Sequence, residues 1–195
     1  KYIFIGAVAI IFFQLPVLAQ WNANPSVVNN PVSTAVTDDV VISSVTDGAG
    51  GAIIAWSAFD MMNVIFNISV QRKTANGAIS WNNAATPVIL FSNADYSSVA
   101  DIIPDGYGGV YITWINYLTE YTSDLYLQRT SPAGNLLFTP GGIKINASNG
   151  HFYSEGHISA DAGGVIISWS DQVLLPGNPV PSYAQVFAQR FNTVG

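Results

Sequence analysis

Cysteine is absent from the 195 residues, which excludes a disulfide framework, a thiolate-bound metal and a lipid-modified N-terminal cysteine. Charge is scarce as well: Asp, Glu, Lys and Arg make up 9% of the chain, where about a quarter is usual. Asn, Ser and Thr take over the surface role, which suits short strands and turns better than long solvated helices. Only six residues are Lys or Arg and the net charge is −6, so nucleic acid is not an expected partner. Two histidines, His151 and His157, are too few for a histidine metal site without much carboxylate help. No cofactor is expected. What is abundant is apolar: 49% of the residues are hydrophobic, enough for the core of one good-sized domain or part of a larger one.

The N-terminus reads separately. KYIFIGAVAIIFFQLPVLAQ opens on the cation Lys1, runs apolar from Tyr2 to Phe13, breaks at Pro16 and closes on small residues at Val17-Leu18-Ala19. This pattern predicts a secretory signal peptide over residues 1–19, cleaved between Ala19 and Gln20, and hence a secreted or outer-surface protein. The competing membrane anchor fits less well, because Gln14 and Pro16 interrupt a span that needs about 20 apolar residues. After cleavage no stable membrane span is expected.

The remainder repeats itself. DGAGGAIIAW from Asp47 to Trp56 recurs as DGYGGVYITW from Asp105 to Trp114 and as DAGGVIISW from Asp161 to Trp169. The tryptophans are 58 and 55 residues apart, and each is followed by a Gln-Arg pair: Gln71-Arg72, Gln128-Arg129 and Gln189-Arg190. Six residues after each Gln stands a glycine (Gly77, Gly134, Gly195), and four residues after the first two of these an aromatic, Trp81 or Phe138. Alternating apolar residues predict strand a in VVISSVT, ADIIP and GHISA, strand b in AIIAW, VYITW and VIISW, and strand c in FNISVQR, DLYLQR and AQVFAQR. Asp-Gly-x-Gly-Gly predicts a tight a–b hairpin. A second glycine turn leads to strand d in AISW and NLLF, which continues through PVIL and GIKI. Four short antiparallel strands repeated about every 57 residues describe the blade of a β-propeller. The expected fold is all-β, a propeller-like array of about three four-stranded blades over residues 20–195, with repeats near 21–80, 81–137 and 138–195.

The DG-x-GG…W…QR…G…W phrase, with SVQRKTANGAISW as its second half, resembles the β-propeller-like repeats of secreted and surface proteins of the Bacteroidetes. The likeness covers essentially everything after Gln20. It implies a propeller fold and export, in a family whose repeats often precede a sorting domain for type IX secretion, and it implies no reaction. The third repeat departs from the pattern by carrying Ala162 where the others have glycine, and no sorting domain is in view.

Each marked residue has a structural and a functional reading. Trp56, Trp114 and Trp169 recur in every repeat and are expected to fill the space between blades rather than stack on a ligand. Each Asp-Gly hairpin offers one carboxylate, too few for a calcium loop, and opens a strand rather than a phosphate-binding helix. Arg72 shares the parity of Phe66, Ile68 and Val70, so it points with an apolar face and needs a partner. Strands a and c run parallel, which puts Asp47 beside Arg72, Asp105 beside Arg129 and Asp161, in a weaker third case, beside Arg190. The alternative is an arginine cluster for a ligand carboxylate, as in propeller sialidases, but the Ser-x-Asp-x-Gly-x-x-Trp box typical of those enzymes is missing. Asn67 and Asn146 head glycosylation-type triplets that read as chance matches.

One rim, carrying the a–b and c–d hairpins, is nearly constant, and the other varies. From Trp to Gln the spacing is 15, 14 and 20 residues, through SAFDMMN, INYLTEYTS and SDQVLLPGNPVPS. Variable loops on a fixed scaffold are the usual place for a binding surface. Candidates there are Asp60, Tyr117, Tyr121, Phe152, Tyr153 and Asp171, with Phe59, Tyr96, Tyr183, Glu120 and Glu155 nearby in sequence. Aromatic faces beside carboxylates and amides suit a glycan or an extended polypeptide. The leading expectation is therefore a non-catalytic adhesion or binding module, not an enzyme. Two others stay open: a fragment of a propeller glycosidase or lyase, whose acid pair would lie roughly 5–10 Å apart on the variable rim, and a structural spacer before a sorting domain. The three countable blades, against the four to eight of closed propellers, and the stop at Gly195, where the third strand c should turn into strand d, predict an open arc. In it the N-terminal strand from Trp21 to about Val32 lies at one edge and the third blade lacks its outer strand.

Overall fold

The computed structural model describes residues 31–146, 150–161 and 163–195. They form three antiparallel sheets with no helix among them. The first sheet holds β1 (Asp38–Thr46), β2 (Ala52–Asp60), β3 (Ile65–Lys73) and β4 (Val88–Asn93) in the order β1-β2-β3-β4. The second repeats that order with β5 (Ser97–Pro104), β6 (Val110–Tyr117), β7 (Ser123–Arg129) and the short β8 (Ile143–Lys144). The third consists of β9 (Phe152–Asp161), β10 (Gly164–Leu175) and β11 (Asn178–Asn192), with β10 central and β11 at an edge among the described residues. Strands a, b and c thus fall where alternation places them. The signal segment over residues 1–19 and the N-terminal strand expected from Trp21, as far as residue 30, lie outside the described residues.

Strand b of the second sheet reads as a nearly unbroken apolar run because it is covered on both faces. Val110, Ile112 and Trp114 of β6 pack with Ile53, Ala55, Ile68 and Val70 of the first sheet. Its other parity, Tyr111 and Ile115, packs with Val165 and Ile167 of the third. Trp114 lies in the first of these seams and Trp169 packs against the second, whereas Trp56 is buried on the far face of the first sheet with Ile54 and Ala58, where Val32 packs on it. Opposite each of them strand a slips register, between Val41 and Ser43, between Val99 and Asp101, and across Ser168 and Ser170 in the third sheet. One extra residue at each slip bends the strand around the indole.

The fourth strand departs from expectation. AISW and NLLF make only isolated bridges, Lys73 to Ile79 and Thr130 to Leu136, and regular pairing starts later, at Val88 and Ile143. The cause is a buried glutamine. Gln71 Oε1 accepts from the backbone N–H of Arg72 at 2.9 Å and of Trp81 at 3.1 Å, while its Nε2 donates to Asn83 O at 3.3 Å. Gln128 repeats the arrangement with Arg129 N and Phe138 N, both at 2.9 Å, and with Thr139 O at 3.0 Å. The side chain stands in for ladder bonds, so the chain can leave the sheet and turn Trp81 or Phe138 into the core without burying unpaired backbone.

The rest of the repeated phrase joins one sheet to the next. Asp47 Oδ1 accepts from Ala49 N (2.8 Å) and Gly51 N (2.7 Å), closing the a–b hairpin, while Oδ2 holds Arg72 Nε and Nη2, each at 2.9 Å. Asp105 does the same with Tyr107 N, Gly109 N and Arg129. Asp161 pairs with Arg190 at a more exposed site, in a hairpin one residue shorter, where Asp161 lies directly opposite Gly164. The last glycine of each hairpin abuts the end of strand c: a Cβ on Gly51, Gly109 or Gly164 would overlap the carbonyl oxygen of Lys73, Thr130 or Phe191. Arg72 and Arg129 then reach into the following repeat. Arg72 Nη1 donates to Pro132 O at 3.3 Å and Trp81 Nε1 to the same oxygen at 2.9 Å, and Arg129 Nη1 donates to Thr193 O at 2.9 Å. Gly134 sits flat on Trp81, where a Cβ would come within 2.7 Å of the ring, while at the matching Gly195 a Cβ would overlap the Ile143 side chain and only touch Phe138.

Burial opposes ionisation of Asp47, but the N–H groups of Ala49 and Gly51 and the Arg72 guanidinium outweigh it and hold the carboxyl below its ordinary value near 3.8. A depressed folded-state value means that the pair's contribution is complete above that ordinary value and is lost as pH falls through the lower one. Asp47→Asn is therefore expected to be less stable than the parent at neutral pH, with the gap closing below about pH 4 as the parent's carboxyl protonates. Urea unfolding of both proteins at several acidic pH values checks this, and a gap independent of pH would contradict it.

Candidate functional site

On the rim opposite the Asp–Arg pairs, the hairpins and connections between sheets carry a line of rings. Phe59 at the end of β2 and Phe66 at the start of β3 are cross-strand partners, stacked with centroids 4.5 Å apart. Tyr96, in the connection from the first sheet to the second, meets Phe66 edge-on at 5.3 Å. Its ring also stacks on Tyr117 at 5.3 Å, and the Tyr117 N–H donates to Tyr96 O at 2.8 Å. Tyr117 in turn touches Phe152, at the start of β9, with centroids 5.8 Å apart. Five rings thus run from the first sheet to the third. Tyr96 is the most open, 51% exposed, while the other four are half-buried. Burial first, and Tyr96 beside it second, push the Tyr117 phenol above its usual range, so it remains a neutral hydrogen-bonding group at physiological pH.

Amides and carboxylates flank the line. Asn93 Nδ2 donates to Asp95 Oδ2 at 3.2 Å and lies 3.5 Å from Asn116 Oδ1, which also accepts from Ser97 Oγ at 2.9 Å. A groove of about 480 Å³ opens between the β6–β7 and β10–β11 hairpins, lined by Glu120, Tyr121, Leu174, Gly177 and Asn178. Across it Gly177 N donates to the Tyr121 hydroxyl at 3.4 Å. This is where the long insertion of the third repeat leans on the second.

The candidate residues divide. Tyr117 and Phe152 come together in the aromatic line, and Tyr121 lines the neighbouring groove. Tyr153 is 2% exposed and belongs to the core between the second and third sheets, so it offers no face to a ligand. The reason is parity: it alternates with Phe152 and points inward. Asp171 is also buried, bonded to His151 Nδ1 through Oδ1 at 2.7 Å. Asp60 closes its own hairpin, accepting from Met62 N at 3.0 Å, Asn63 N at 3.2 Å and Asn63 Nδ2 at 2.7 Å. Those bonds, the Asn63 side chain foremost, lower its pKa. Asn67 and Asn146 are both buried, Asn146 holding Leu125 N and Asp124, so neither presents an amide to a modifying enzyme in the folded chain. Phe66 and His151 had not been singled out for this rim. Phe66 was readable, because a hairpin closing over Asp60–Ile65 puts it opposite Phe59.

The β2–β3 hairpin carries one strained position. Val64 has φ +54, a left-handed conformation that costs a β-branched residue about 1–2 kcal/mol, and its side chain is exposed. Val64→Asn is expected to raise stability by about 1 kcal/mol, since Asn tolerates this region. A denaturation midpoint unchanged or lowered would contradict the assignment of strain.

Among the described residues no helix is long and apolar enough to cross a membrane. No protein family, curated protein or solved structure matches this chain.

Proposed function

We propose that this chain is a secreted or surface-exposed, non-catalytic binding module of propeller-like blades, and that it holds an extended glycan or polypeptide along the variable rim. The observation that carries this reading is the unbroken line Phe59–Phe66–Tyr96–Tyr117–Phe152, which crosses all three sheets where the loops differ most. A polymer lying along it would meet apolar ring surface and, beside that, the Asn93–Asp95–Asn116 amides and carboxylates. That combination suits sugar hydroxyls over C–H faces, or a backbone with alternating side chains. Three serial antiparallel meanders, two of four strands and one of three among the described residues, with a phrase repeated in each, support the propeller reading. The signal-like N-terminus and the likeness to exported Bacteroidetes repeats support the location.

Tyr96→Ala tests the reading. Losing one stacking ring worth about 1–1.5 kcal/mol should weaken binding of a captured glycan or peptide about tenfold. Because the Tyr96 ring is half exposed, the unfolding midpoint should move little. The rings also stack on one another, an observation that favours the spacer reading, in which they merely lock the sheet ends. In that case a screen of glycans and unstructured peptides finds no ligand, and Tyr96→Ala lowers stability alone.

A further inference from the structure

We propose that a cavity against Trp56 in the first sheet binds a small neutral phenol, free in solution, with its ring stacked on the indole. The strand registers show what that sheet lacks. Directly across from the tryptophan of strand b, strand c carries Tyr126 in the second sheet and Phe187 in the third. Both rings stack on their tryptophan, with centroids 5.6 and 6.1 Å apart. In the first sheet the residue opposite Trp56 is Ser69. A second seal is missing beside it. Val88 pairs with Val70 as Ile143 pairs with Leu127, so Pro87 stands where Gly142 closes on the Trp114 ring. A pyrrolidine cannot come that near, since even a Cβ at Gly142 would overlap the indole. What remains is a cavity of about 350 Å³ with Trp56, Ser69 and Pro87 in its wall.

The walls are local. Residues 35–37 and 85–87 line the cavity across from the sheet, and Thr34 N donates to Ala84 O at 2.7 Å to hold the two segments together. Ala58 and Asn67, which also line it, have the opposite strand parity to Phe59 and Phe66, so this site is separate from the aromatic rim. Its volume lies in the range of small-molecule sites, about 300–1,000 Å³, and is more than twice the roughly 150 Å³ that takes up benzene. Asn67 supplies the polar end. Ala58 lies opposite Asn67 as Asn116 lies opposite Asp124, and Asp124 accepts from Lys144 Nζ at 2.7 Å and Asn146 Nδ2 at 3.2 Å. In the first sheet Ile89 takes the place of Lys144, and Asn67 Oδ1 is buried with no hydrogen-bond partner among the described residues. An unpaired buried acceptor is costly, and a phenol hydroxyl is the donor it lacks. The one charged lining residue, Asp60, already holds Met62 and Asn63, and its carboxylate disfavours an anionic ligand.

Titration of the 195-residue chain with p-cresol and with toluene, followed by proton–nitrogen correlation NMR, tests this. The Trp56 indole N–H signal, assigned by its loss in Trp56→Phe, should move saturably with p-cresol. Toluene, which lacks only the hydroxyl, should bind about fivefold more weakly, the worth of one hydrogen bond. Asn67→Ala should erase that difference. Ser69→Tyr restores the ring that the second sheet carries, so it should weaken p-cresol at least about tenfold, a change of about 1.4 kcal/mol, with the unfolding midpoint unchanged or raised. Should Ser69→Tyr fail to fold, the comparison of the two ligands on the parent and on Asn67→Ala still decides. The proposal is overturned if neither compound moves the Trp56 signal, if Ser69→Tyr folds and binds p-cresol as the parent does, or if toluene binds the parent as tightly. It is also overturned if N-acetyltyrosine amide binds and p-cresol does not, which would assign the cavity to a side chain of a partner polypeptide.

Discussion

Trp114→Ala should cost about 3–5 kcal/mol, a third or more of the stability of a marginal domain of this size. The side chain is 0% exposed and lies in the seam between the first and second sheets. Its ring stacks on Tyr126, with centroids 5.6 Å apart and planes 7° apart, and packs on Phe91 at the same separation. Gly142 closes the pocket so tightly that a Cβ there would overlap the indole. Neighbours this constrained relax poorly, which puts the loss at the upper end of the range. Trp114→Phe should cost well under half as much. The indole Nε1 is buried without a hydrogen-bond partner among the described residues, so replacing it removes an unsatisfied donor while keeping most of the packing. Trp81 makes the contrast, because its Nε1 donates to Pro132 O at 2.9 Å and its Phe replacement strands that oxygen. Urea midpoints for the three variants, at unchanged m-value, decide the matter. Equal losses for the two Trp114 variants would mean that packing alone sets the cost.

Asp105→Ala should cost a further amount of the same order, about 3–5 kcal/mol. Asp105 holds Arg129 through Nε at 3.0 Å and Nη2 at 2.8 Å, with 0% and 10% of the two side chains exposed. Removing the carboxylate leaves a guanidinium buried, with only Thr193 O and the faces of Tyr107 and Tyr111, at 5.4 and 5.3 Å, to offset its charge. It also frees the N–H groups of Tyr107 and Gly109 that the other carboxylate oxygen accepts, loosening the hairpin. Asp161→Ala, at the most exposed of the three pairs, should cost about 1 kcal/mol or less. Removing both partners with Asp105→Ala and Arg129→Met should recover part of the loss, since no buried charge then lacks a counterion. A double variant as unstable as the sum of the single ones would show that the two side chains act independently.

Much of this was legible in the residue order. Alternation over five to nine residues and glycines at turn positions are local signals, so strands a, b and c and the Asp-Gly hairpins stand where the pattern puts them. Parity also placed Arg72 and Arg129 beside their aspartates, because strand direction decides which ends share a rim. The function of the phrase's remaining letters was not local. Gln71 and Gln128 look like ordinary strand residues until the backbone they satisfy, ten positions on, has left the sheet. That departure moved the fourth strand from Ile79 to Val88, against a β-pattern that reads equally well in both places. Gly134 donates to Ser131 O within its own turn, but what excludes a side chain there is the Trp81 ring, some fifty positions earlier.

The candidate surface divides the same way. Sequence by itself determined that the aromatic residues gather in loops at one rim, since loop length and composition are written along the chain. Only the tertiary structure decided which of them remain open. Phe152 and Tyr153 are neighbours with the same chemistry, yet the strand pleat sends one ring to the rim and the other into the seam. Asp171 was a candidate carboxylate until packing against the preceding loop set His151 on it. Burial is a property of what the next sheet covers, and that depends on contacts between residues some sixty positions apart, which no local pattern encodes.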